Sequence, residues 1–309
     1  MNVSIVIPVY NGKDTLPEVL KKAKKQDVKG KFEIIVIDDG KKSVKEIAKK
    51  YKVRYYKNKE NLGLAGSMNQ GIKKAKYEII VSLHQDCIPE NNKWLSRLIK
   101  PLEKNEIVAT TSAVYLAKEN WERFDFWHKV LPIQELGVTH PELDEKGCAY
   151  KKNILEKIKG FNIENFRTSG EDRDLYKKLQ KHGKVVRCEC KVIHLHTNYR
   201  EGFTNQVKKE AQYAEGHGVN LRLNFDAKDS FYWKIIIKYI LLFILLFIPN
   251  FSLVSVILIF ILSNSNLLKV IANTSFDFRL FILPFVNFLI YFIRVIFIIK
   301  GFVTKKQRI

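Results

Sequence analysis

Cysteine is scarce in this sequence, with four residues among 309, at positions 87, 148, 188 and 190. No stretch near Met1 combines a charged start, an apolar middle and a small-residue cleavage site, so we expect no signal peptide. The apolar residues 2–9 are too few for one and are more typical of a strand. Few cysteines and no secretory signal together favour a reduced, cytoplasmic setting.

The sequence also lacks the marks of a nucleic-acid-binding protein: an Arg-rich arm, an aromatic RNA-binding signature, or zinc-finger spacing. Its formal charge is nonetheless +21, from 53 Lys and Arg against 32 Asp and Glu. These basic residues are mostly lysines spread over predicted helices, as in Lys21–Lys25 and Lys41–Lys52. An anionic membrane surface, together with general solvation of the helices, accounts better for such a charge than nucleic acid does. We therefore expect membrane lipids, and no nucleic acid, among the partners.

Charged residues become rare beyond about Asp229, a change that the mean hydropathy of −0.15 conceals. Apolar residues run almost unbroken through Lys234–Leu262 and again through Leu280–Ile299, and each run is long enough to cross a bilayer. Pro249 leaves two interpretations of the first run open: one kinked span, or a hairpin of two short helices turning at about residues 249–252. We predict a folded domain over residues 1–226 and a membrane-anchoring helical segment over residues 227–309.

The charges around these runs predict an orientation. The tail 300–308 carries four basic residues, whereas the loop 263–279 between the runs has few charges. Two spans would place both the N-terminal domain and the tail in the cytoplasm, as the positive-inside rule prefers, and three spans would place the tail outside. The rule favours two spans, and hence an integral protein of the cell membrane with a cytoplasmic N-terminal domain. Arg294, inside the last run, is costly in lipid and should reach the interface or face protein or a lipid phosphate.

Short β-rich runs alternate with amphipathic, Lys-rich segments through the first hundred residues. The predicted strands are Val3–Pro8, Phe32–Asp38, Val53–Tyr56 and Glu78–Leu83, and the predicted helices between them are Thr15–Lys25, Val44–Tyr51 and Ala65–Ala75. This alternation indicates an α/β fold with a mainly parallel sheet and helices on both faces. Further along, we predict a strand at Ile107–Leu116, helices at Asn153–Ile158 and Glu171–His182, and strands within Val185–His196.

Ligands of such sheets bind beyond the carboxyl ends of the strands, where this chain places polar residues. The Asp38–Gly40 segment can bind a nucleotide base or ribose, although Asp-Gly also forms plain turns. The glycine-spaced loop Asn61–Asn69 opens a helix whose N-terminus suits a phosphate-bearing ligand, but it matches neither the P-loop nor the dinucleotide fingerprint. Asp86 is placed to bind a hard divalent cation that bridges a diphosphate, or else to cap the next helix.

Taken together, these segments resemble the donor half of family 2 glycosyltransferases of the GT-A fold. The matching segments follow the family's order and roughly its spacing from residue 2 to about 196: Val3–Gly12, Asp38-Asp39-Gly40, Asn61-Leu62-Gly63 with Asn69 and Gly71, Gly147–Lys152, Gly160-Phe161-Asn162, Gly170–Leu175 and Val192-Ile193-His194. The resemblance implies an enzyme of glycan biosynthesis that transfers a sugar from a nucleotide-sugar donor to a lipid-linked or glycan acceptor.

The resemblance also implies roles for individual residues. Those expected at the donor are Pro8, Tyr10, Asn11, Asp39, Asn61, Gly63, Asn69, His84, Gln85 and Asp86. The family usually has Asp-x-Asp where this chain has His84-Gln85-Asp86, so Asp86 stands at the metal-binding position and His84 replaces the first acid. A neutral imidazole there would hydrogen-bond a ribose hydroxyl or join the metal. His194, or as a second choice His196, would complete the shell of Mn²⁺ or Mg²⁺ with Asp86.

Glu171 and Asp172 begin a predicted helix whose free N–H groups steady carboxylates. By the resemblance, Asp172 of this pair is the catalytic base that removes the proton from the acceptor hydroxyl. Attack from the face opposite the diphosphate then inverts the configuration of the sugar. Without the resemblance, two acids at a helix start would be explained by capping alone.

Cys188, Cys190, His194 and His196 are residue types that bind zinc. On a straight strand, however, they point to one face at steps of ~6.6 Å, so they cannot surround one tetrahedral ion without a sharp bend. We therefore expect no zinc at this strand.

Two other functions are open from the sequence. A nucleotidyl- or phospho-sugar transferase would need a basic phosphate-gripping loop near the N-terminus, which Tyr10–Gly12 does not supply. A catalytically silent relative would bind nucleotide-sugar or scaffold a glycan-assembly complex. The replacement by His84 mildly favours the silent relative, whereas the intact carboxylates argue against it, namely Asp39, Asp86, Glu171 and Asp172.

Overall fold

The computed structural model describes residues 1–196 and 202–307 of the chain. Within these residues the chain forms two compact units. The first holds residues 1–121, 135–163 and 171–196, and the second holds residues 122–134, 164–170 and 202–307.

The first unit is built on a sheet of nine strands, counted over the described residues. They are Val3–Val9 (β1), Phe32–Asp38 (β2), Arg54–Lys57 (β3), Ile79–Leu83 (β4), Cys87–Pro89 (β5), Ile107–Leu116 (β6), Gly137–Thr139 (β7), Gly147–Lys151 (β8) and Lys184–His194 (β9). Their order across the sheet is β3-β2-β1-β4-β8-β6-β9-β5, and β7 pairs with β6.

The strands around β1 are parallel. β1 pairs in parallel with β2 and β4, and β2 pairs in parallel with β3. Val9 lies level with Asp38, so the loops after β1, β2 and β4 leave the same edge of the sheet. β9 is parallel to β6, whereas β8 is antiparallel to both β4 and β6. The predicted α/β fold with a mostly parallel sheet is confirmed, and antiparallel strands extend it.

Side chains that alternate along β1 explain why helices cover both faces of the sheet. Ile5 and Ile7 pack into a core on one face, and Val6 packs into a second core on the other. The helices of this unit are Leu16–Ala23, Lys45–Lys50, Gly63–Lys74, Trp94–Ile99, Lys118–Trp121, Lys152–Lys157 and Glu171–Gln180, with a 3-10 helix at Lys100–Glu103. Every strand and helix predicted in the first hundred residues is present, with its ends shifted by at most two residues.

The second unit consists of helices. Its α-helices are Phe126–Val130, Phe203–Leu223, Ser230–Ile235, Leu242–Leu245, Pro249–Ser263, Leu267–Asn273 and Leu283–Thr304. The segment Ile236–Leu241 is a π-helix, and Phe278–Leu280 is a 3-10 helix. A second 3-10 helix, Ile133–Glu135, connects along the chain to the first unit. Pro249–Asn273 and Leu283–Thr304 are long and apolar enough to cross a membrane. Only 11% and 28% of their most apolar windows is buried, which is unlike the core helices of soluble proteins.

The first apolar run is a helical hairpin. Helical residues end at Leu245 and resume at Pro249, and Ile248 between them is extended, with φ −102° and ψ 114°. Lys238 Nζ donates to the carbonyl of Leu262 at 3.5 Å, so the two legs lie side by side and run in opposite directions. Proline suits the first position of a helix because its missing N–H would be unpaired there anyway.

Helix Phe203–Leu223 packs along helix Leu283–Thr304 within the second unit. Arg294 donates to Glu210 through Nε at 2.8 Å and Nη2 at 2.6 Å. Lys300 Nζ lies 2.9 Å from Oε1 of the fully buried Glu215. The sequence left three environments open for Arg294: the membrane interface, protein, or a lipid phosphate. The ion pair with Glu210 shows that Arg294 faces protein. Charges among apolar helices need such partners, because an unpaired charge there is costly.

Gln307 binds the loop 164–170 of the same unit. Its Oε1 accepts hydrogen bonds from the N–H groups of Arg167 (3.0 Å), Thr168 (2.7 Å) and Ser169 (3.1 Å). Its Nε2 donates to Ser169 Oγ at 2.6 Å. The predicted boundary between residues 226 and 227 stays a prediction, although helix Phe203–Leu223 on its N-terminal side belongs to the second unit.

Candidate active site

Asp38, the last residue of β2, holds the loop that follows it. Its carboxylate accepts hydrogen bonds from the N–H groups of Gly40 (3.1 Å) and Val44 (3.2 Å) and from the Tyr55 hydroxyl (2.7 Å). Lys57 Nζ lies 3.1 Å from the same carboxylate. These contacts satisfy a fully buried charge and fix the Asp-Gly turn.

Asp39 joins this turn to the glycine-rich loop. Its Oδ1 accepts from the Leu62 N–H at 2.8 Å, and its Oδ2 accepts from the Gly63 N–H at 2.9 Å. Gly63 has a φ of +71°, which favours glycine, and it begins helix Gly63–Lys74. Asn61 Nδ2 donates to the Asp39 carbonyl at 3.3 Å. Three residues predicted at the donor therefore lie together at the N-terminus of this helix.

Asn69, in the same helix, binds main chain. Its Oδ1 accepts from the Phe161 N–H at 2.9 Å, and its Nδ2 donates to the Phe161 carbonyl at 2.9 Å. Gly160 has a φ of +65°, and a Cβ at that position would collide with Asn69 Oδ1. The amide of Asn69 thus holds the Gly160–Phe161 turn.

The loop after β1 is held in a similar way by Gln85. Gln85 Oε1 accepts from the Tyr10 N–H at 2.8 Å, and Gln85 Nε2 donates to the Tyr10 carbonyl at 3.1 Å. Asn11 has a φ of +55°, and its Oδ1 accepts from the Lys42 N–H at 3.2 Å. Pro8 is buried within β1, whereas the ring of Tyr10 is 47% exposed and accessible to a ligand.

The loop after β4 carries a group of possible metal ligands. One ligand atom each of His84, Asp86 and Cys87 lies within 4.8 Å of the others. Cys87 pairs with His194 across β5 and β9, which places His194 Nε2 3.5 Å from Asp86 Oδ2. The two predicted metal ligands, Asp86 and His194, are therefore brought together, and His84 lies beside them.

The protonation states of this group suit a divalent cation. Burial opposes the ionisation of Asp86, but the hydrogen bond and charge of His194 hold the pKa of Asp86 well below its usual range. Burial, with the charge of Lys146, lowers the pKa of His84 to about 4. Burial raises the pKa of the Cys87 thiol well above its ordinary value, so a thiolate does not form there. A carboxylate and a neutral imidazole are the ligands on offer.

Glu171 and Asp172 form the first turn of helix Glu171–Gln180. Burial and the charge of Asp172 raise the pKa of Glu171 to about 7. Burial and the charge of Asp144 raise the pKa of Asp172 to about 6. The two carboxyl groups interact and titrate as a pair. Carboxyl groups whose pKa lies near neutrality suit general-base catalysis.

The Cys/His strand is β9. Cys188 is half-buried, Cys190 is buried, and both are free thiols. His196 lies just beyond the strand with a φ of +54°, and its Nε2 is 3.3 Å from Glu135 Oε2. The centroids of the His194 and His196 rings are 4.5 Å apart. The two rings have different partners: His194 is directed to Asp86 and His196 to Glu135.

A sequence model described as glycosyl transferase family 2 matches residues 4–159, which is half of the chain. This span runs from β1 past the end of helix Lys152–Lys157 and contains the loops after β1, β2 and β4, but not the Gly160–Phe161 turn, the Glu171–Asp172 pair or His194. The chain belongs to glycosyl transferase family 2.

Similar proteins are known for parts of this glycosyltransferase. An uncharacterized glycosyltransferase of Rickettsia conorii is 35% identical over 145 residues, which cover 44% of this chain and 24% of the relative. The undecaprenyl-phosphate 4-deoxy-4-formamido-L-arabinose transferase of Pseudomonas syringae is 26% identical over 167 residues, covering 50% of this chain and 48% of the relative. The match thus spans about a quarter of the first relative and about half of the second.

Solved structures share the GT-A fold of this glycosyltransferase. A mannosyltransferase from Pyrobaculum calidifontis in complex with GDP-Man and Mn²⁺ has a TM-score of 0.60 at 14% identity, covering 95% of this chain and 86% of that one. GalNAc-T7 with UDP, GalNAc and Mn²⁺ has a TM-score of 0.51 at 16% identity, covering 75% of this chain and 54% of that one. At such identities the likeness concerns the fold alone.

The sequence analysis missed the acidic segment before β8. Lys146 Nζ donates to both carboxylate oxygens of Asp144, at 3.1 and 2.8 Å. The charge of Asp144 acts on both His84 and Asp172, so this segment lies near the metal-ligand group and near the acid pair. The sequence does offer one indication of this acidic segment: it lies just before Gly147–Lys152, a segment that resembles the glycosyltransferase family.

Glu145, in the same segment, is 3% exposed, and its Oε1 has no hydrogen-bond partner among the described residues. Burial and the charges of Asp172 and Glu171 raise the pKa of Glu145 well above its ordinary value. In the unfolded chain this carboxyl would ionise near its ordinary pKa. The folded protein therefore binds the extra proton, and its stability falls as pH rises above that value.

Glu145→Gln is expected to stabilise the glycosyltransferase increasingly as pH rises from 5 to 8, because glutamine removes this titration. The advantage at pH 8 should reach about 1 kcal/mol or more, the scale of an unsatisfied buried polar atom. Thermal unfolding of the metal-free protein at both pH values would measure it, with Glu60→Gln at an exposed site as control. An equal effect of Glu145→Gln at the two pH values would contradict the elevated pKa.

Proposed function

We propose that this glycosyltransferase moves a sugar from a nucleotide-sugar donor to a lipid-linked acceptor, with inversion and with the help of a divalent cation. The main support is electrostatic: the charges of Asp144 and Lys146 act both on His84, in the metal-ligand group, and on Asp172, in the acid pair. The carboxyl groups of these two groups have opposite protonation tendencies. The pKa of Asp86 is depressed, whereas the pKa values of Glu171 and Asp172 are raised. Environments that push neighbouring pKa values apart assign one carboxylate to a cation and another to proton transfer.

Asp172 is the catalytic base in this proposal. Its carboxylate would accept the proton of the acceptor hydroxyl while the oxygen attacks the anomeric carbon opposite the diphosphate, which inverts the configuration. Burial and the charge of Asp144 raise the proton affinity of Asp172, Glu171 titrates together with it, and the N-terminus of helix Glu171–Gln180 steadies the negative charge. A base with a pKa of about 6 is ionised at pH 7 and still basic enough to take a proton.

Asp86 and His194 would hold the cation, Mn²⁺ or Mg²⁺, which supplies positive charge to the departing diphosphate. Around the donor, Asp39, Asn61 and Gly63 would shape the nucleotide pocket, and Tyr10 would offer its ring to the base. Pro8, Asn11, Asn69 and Gln85 would act by holding the main chain of the surrounding loops, since three of these four use their side chains on main-chain groups.

A membrane lipid is the acceptor class that the second unit supports best. Helices Pro249–Asn273 and Leu283–Thr304 expose large apolar side chains, including Leu253 at 71% and Phe285 at 64%. Such exposed apolar surface fits lipid contact. The name of the Pseudomonas relative, an undecaprenyl-phosphate transferase, agrees with this class. We propose that the predicted catalytic domain, residues 1–226, faces the cytoplasm and that residues 227–309 anchor it.

The experiment uses the full chain in lipid nanodiscs containing a polyprenyl phosphate. Individual nucleotide-sugars are added with Mn²⁺ or Mg²⁺, nucleotide release is measured, and the lipid is analysed by mass spectrometry and NMR. We expect release of nucleotide with one preferred donor, coupled to a glycosylated lipid of inverted configuration. A glycan product instead would replace the acceptor class, and donor binding without turnover on lipid, glycan or water would identify a silent relative.

A further inference from the structure

The imidazole of His84 leaves an unexplained atom in the metal-ligand group. Its Nε2 is buried from solvent and has no hydrogen-bond partner among the residues that the structure describes. Buried polar atoms are nearly always paired, so an unpaired one indicates a group that the protein binds. A neutral imidazole has a lone pair on one ring nitrogen, which it can donate to a cation.

The surroundings of His84 favour a metal ion over a ribose hydroxyl. A ribose hydroxyl arrives attached to a bulky nucleotide, whereas a metal ion needs room for one atom only, and His84 Nε2 is buried from solvent. One ligand atom of His84 lies within 4.8 Å of a ligand atom of Asp86. Ligands on opposite sides of one ion stand ~4 Å apart, so a shift of less than an ångström suffices for both to bind it.

The neighbouring positive charge does not oppose a cation at this position. Lys146 lies close enough to affect His84, but both carboxylate oxygens of Asp144 pair with its ammonium group. Asp86 thus joins two nitrogen donors: a ligand atom of His84 lies within 4.8 Å of one of its own, and His194 Nε2 lies 3.5 Å from its Oδ2.

We propose that His84 is a direct nitrogen ligand of the cation and that it makes the site select transition-metal ions over Mg²⁺. This inference rests on the proposed metal-dependent function and adds the identity of the ion. Mg²⁺ prefers oxygen ligands and retains its water, whereas Mn²⁺ and Co²⁺ accept imidazole nitrogen more readily. Replacing a carboxylate by a neutral ring also removes a negative charge. This loss lowers the affinity for a hard ion such as Mg²⁺ more than the affinity for Mn²⁺ or Co²⁺.

The test is direct metal binding to the full chain in detergent, with Mn²⁺, Co²⁺ and Mg²⁺ titrated separately by calorimetry in the absence of nucleotide. His84→Asp is the matched variant, because it supplies an oxygen ligand at the same position. We expect the ratio of Mn²⁺ affinity to Mg²⁺ affinity to fall at least ~10-fold in His84→Asp. His140→Asp, the same change at an exposed histidine, is the control and should leave the ratio unchanged.

A second measurement needs no variant. Pulsed electron paramagnetic resonance of Mn²⁺ bound to the native protein should show couplings to two ring nitrogens, and His84→Asp should show one. A single nitrogen coupling in the native protein, or an unchanged affinity ratio in His84→Asp, would overturn the inference and leave metal-dependent transfer standing. Failure of the native protein to bind any of the three ions would instead contradict the proposed function.

Discussion

Asp172→Asn is expected to lower sugar transfer at least ~100-fold, the scale of a lost general base, while nucleotide-sugar binding stays nearly native. Asparagine keeps the size of the side chain but cannot take the proton of the acceptor hydroxyl. The native rate should rise with pH through about 6, because the raised pKa of Asp172 keeps part of the base protonated below that value. This rise should disappear in the variant. Initial rates from pH 5 to 8 and a donor titration measure both effects.

Asp174→Asn is the matched control, because Asp174 lies in the first turn of the same helix but pairs with Lys178 at 2.7 Å. It removes a similar charge from the helix N-terminus and should retain most of the activity. Near-native transfer by Asp172→Asn would show that Asp172 is not the base. Glu145 and Glu171 would then be the next residues to replace, since burial raises the pKa of both.

Asp86→Ala, or removal of metal by a chelator, is expected to abolish transfer and to weaken donor binding. The carboxylate is the ionised member of the ligand group, and its loss leaves the diphosphate of the donor without a counter-charge. Rates and donor affinity are measured before chelation, after it, and after Mn²⁺ or Mg²⁺ is restored. Restored metal should rescue the chelated native enzyme but not the variant.

The Cys188→Ser, Cys190→Ser double variant is the companion control. Both residues lie along β9, and we expect the variant to remain active without zinc. Joint loss of stoichiometric zinc and activity in the double variant would contradict this account of the strand. Undiminished transfer by Asp86→Ala would contradict metal-assisted departure of the diphosphate.

The parallel part of the fold was predictable because its signals are local. Buried parallel strands are continuous apolar runs, as in Val3–Val9, and the helices between them repeat apolar residues at helical spacing, as in Leu16–Ala23. Sequence order then sets the topology, because successive β-α units place the loops after β1, β2 and β4 at one edge. For this reason Asp39 and Asp86 could be assigned to one site without coordinates.

The rest depends on pairings between distant residues. Gly147–Lys151 has no strong strand signal, yet it lies between β4 and β6 as a buried antiparallel strand and carries Asp144–Lys146 to the site. Cys87–Pro89 is too short to recognise, yet its pairing with β9 brings His194 to Asp86. The amides of Asn69 and Gln85 match the family pattern at the donor, but which main-chain groups they bind depends on tertiary contacts. Periodicity does not report such contacts.

Gln307 has a consequence for how the protein is made. The loop 164–170 runs directly into Glu171 and Asp172, and three of its N–H groups bond to a side chain encoded 138 or more residues later. During synthesis, this loop stays without that partner until both long apolar helices have left the ribosome. The loop that precedes the proposed base therefore gains these hydrogen bonds only after Gln307 has been made. A chain stalled before residue 307 would contain every candidate site residue and still lack the contacts that order the approach to them.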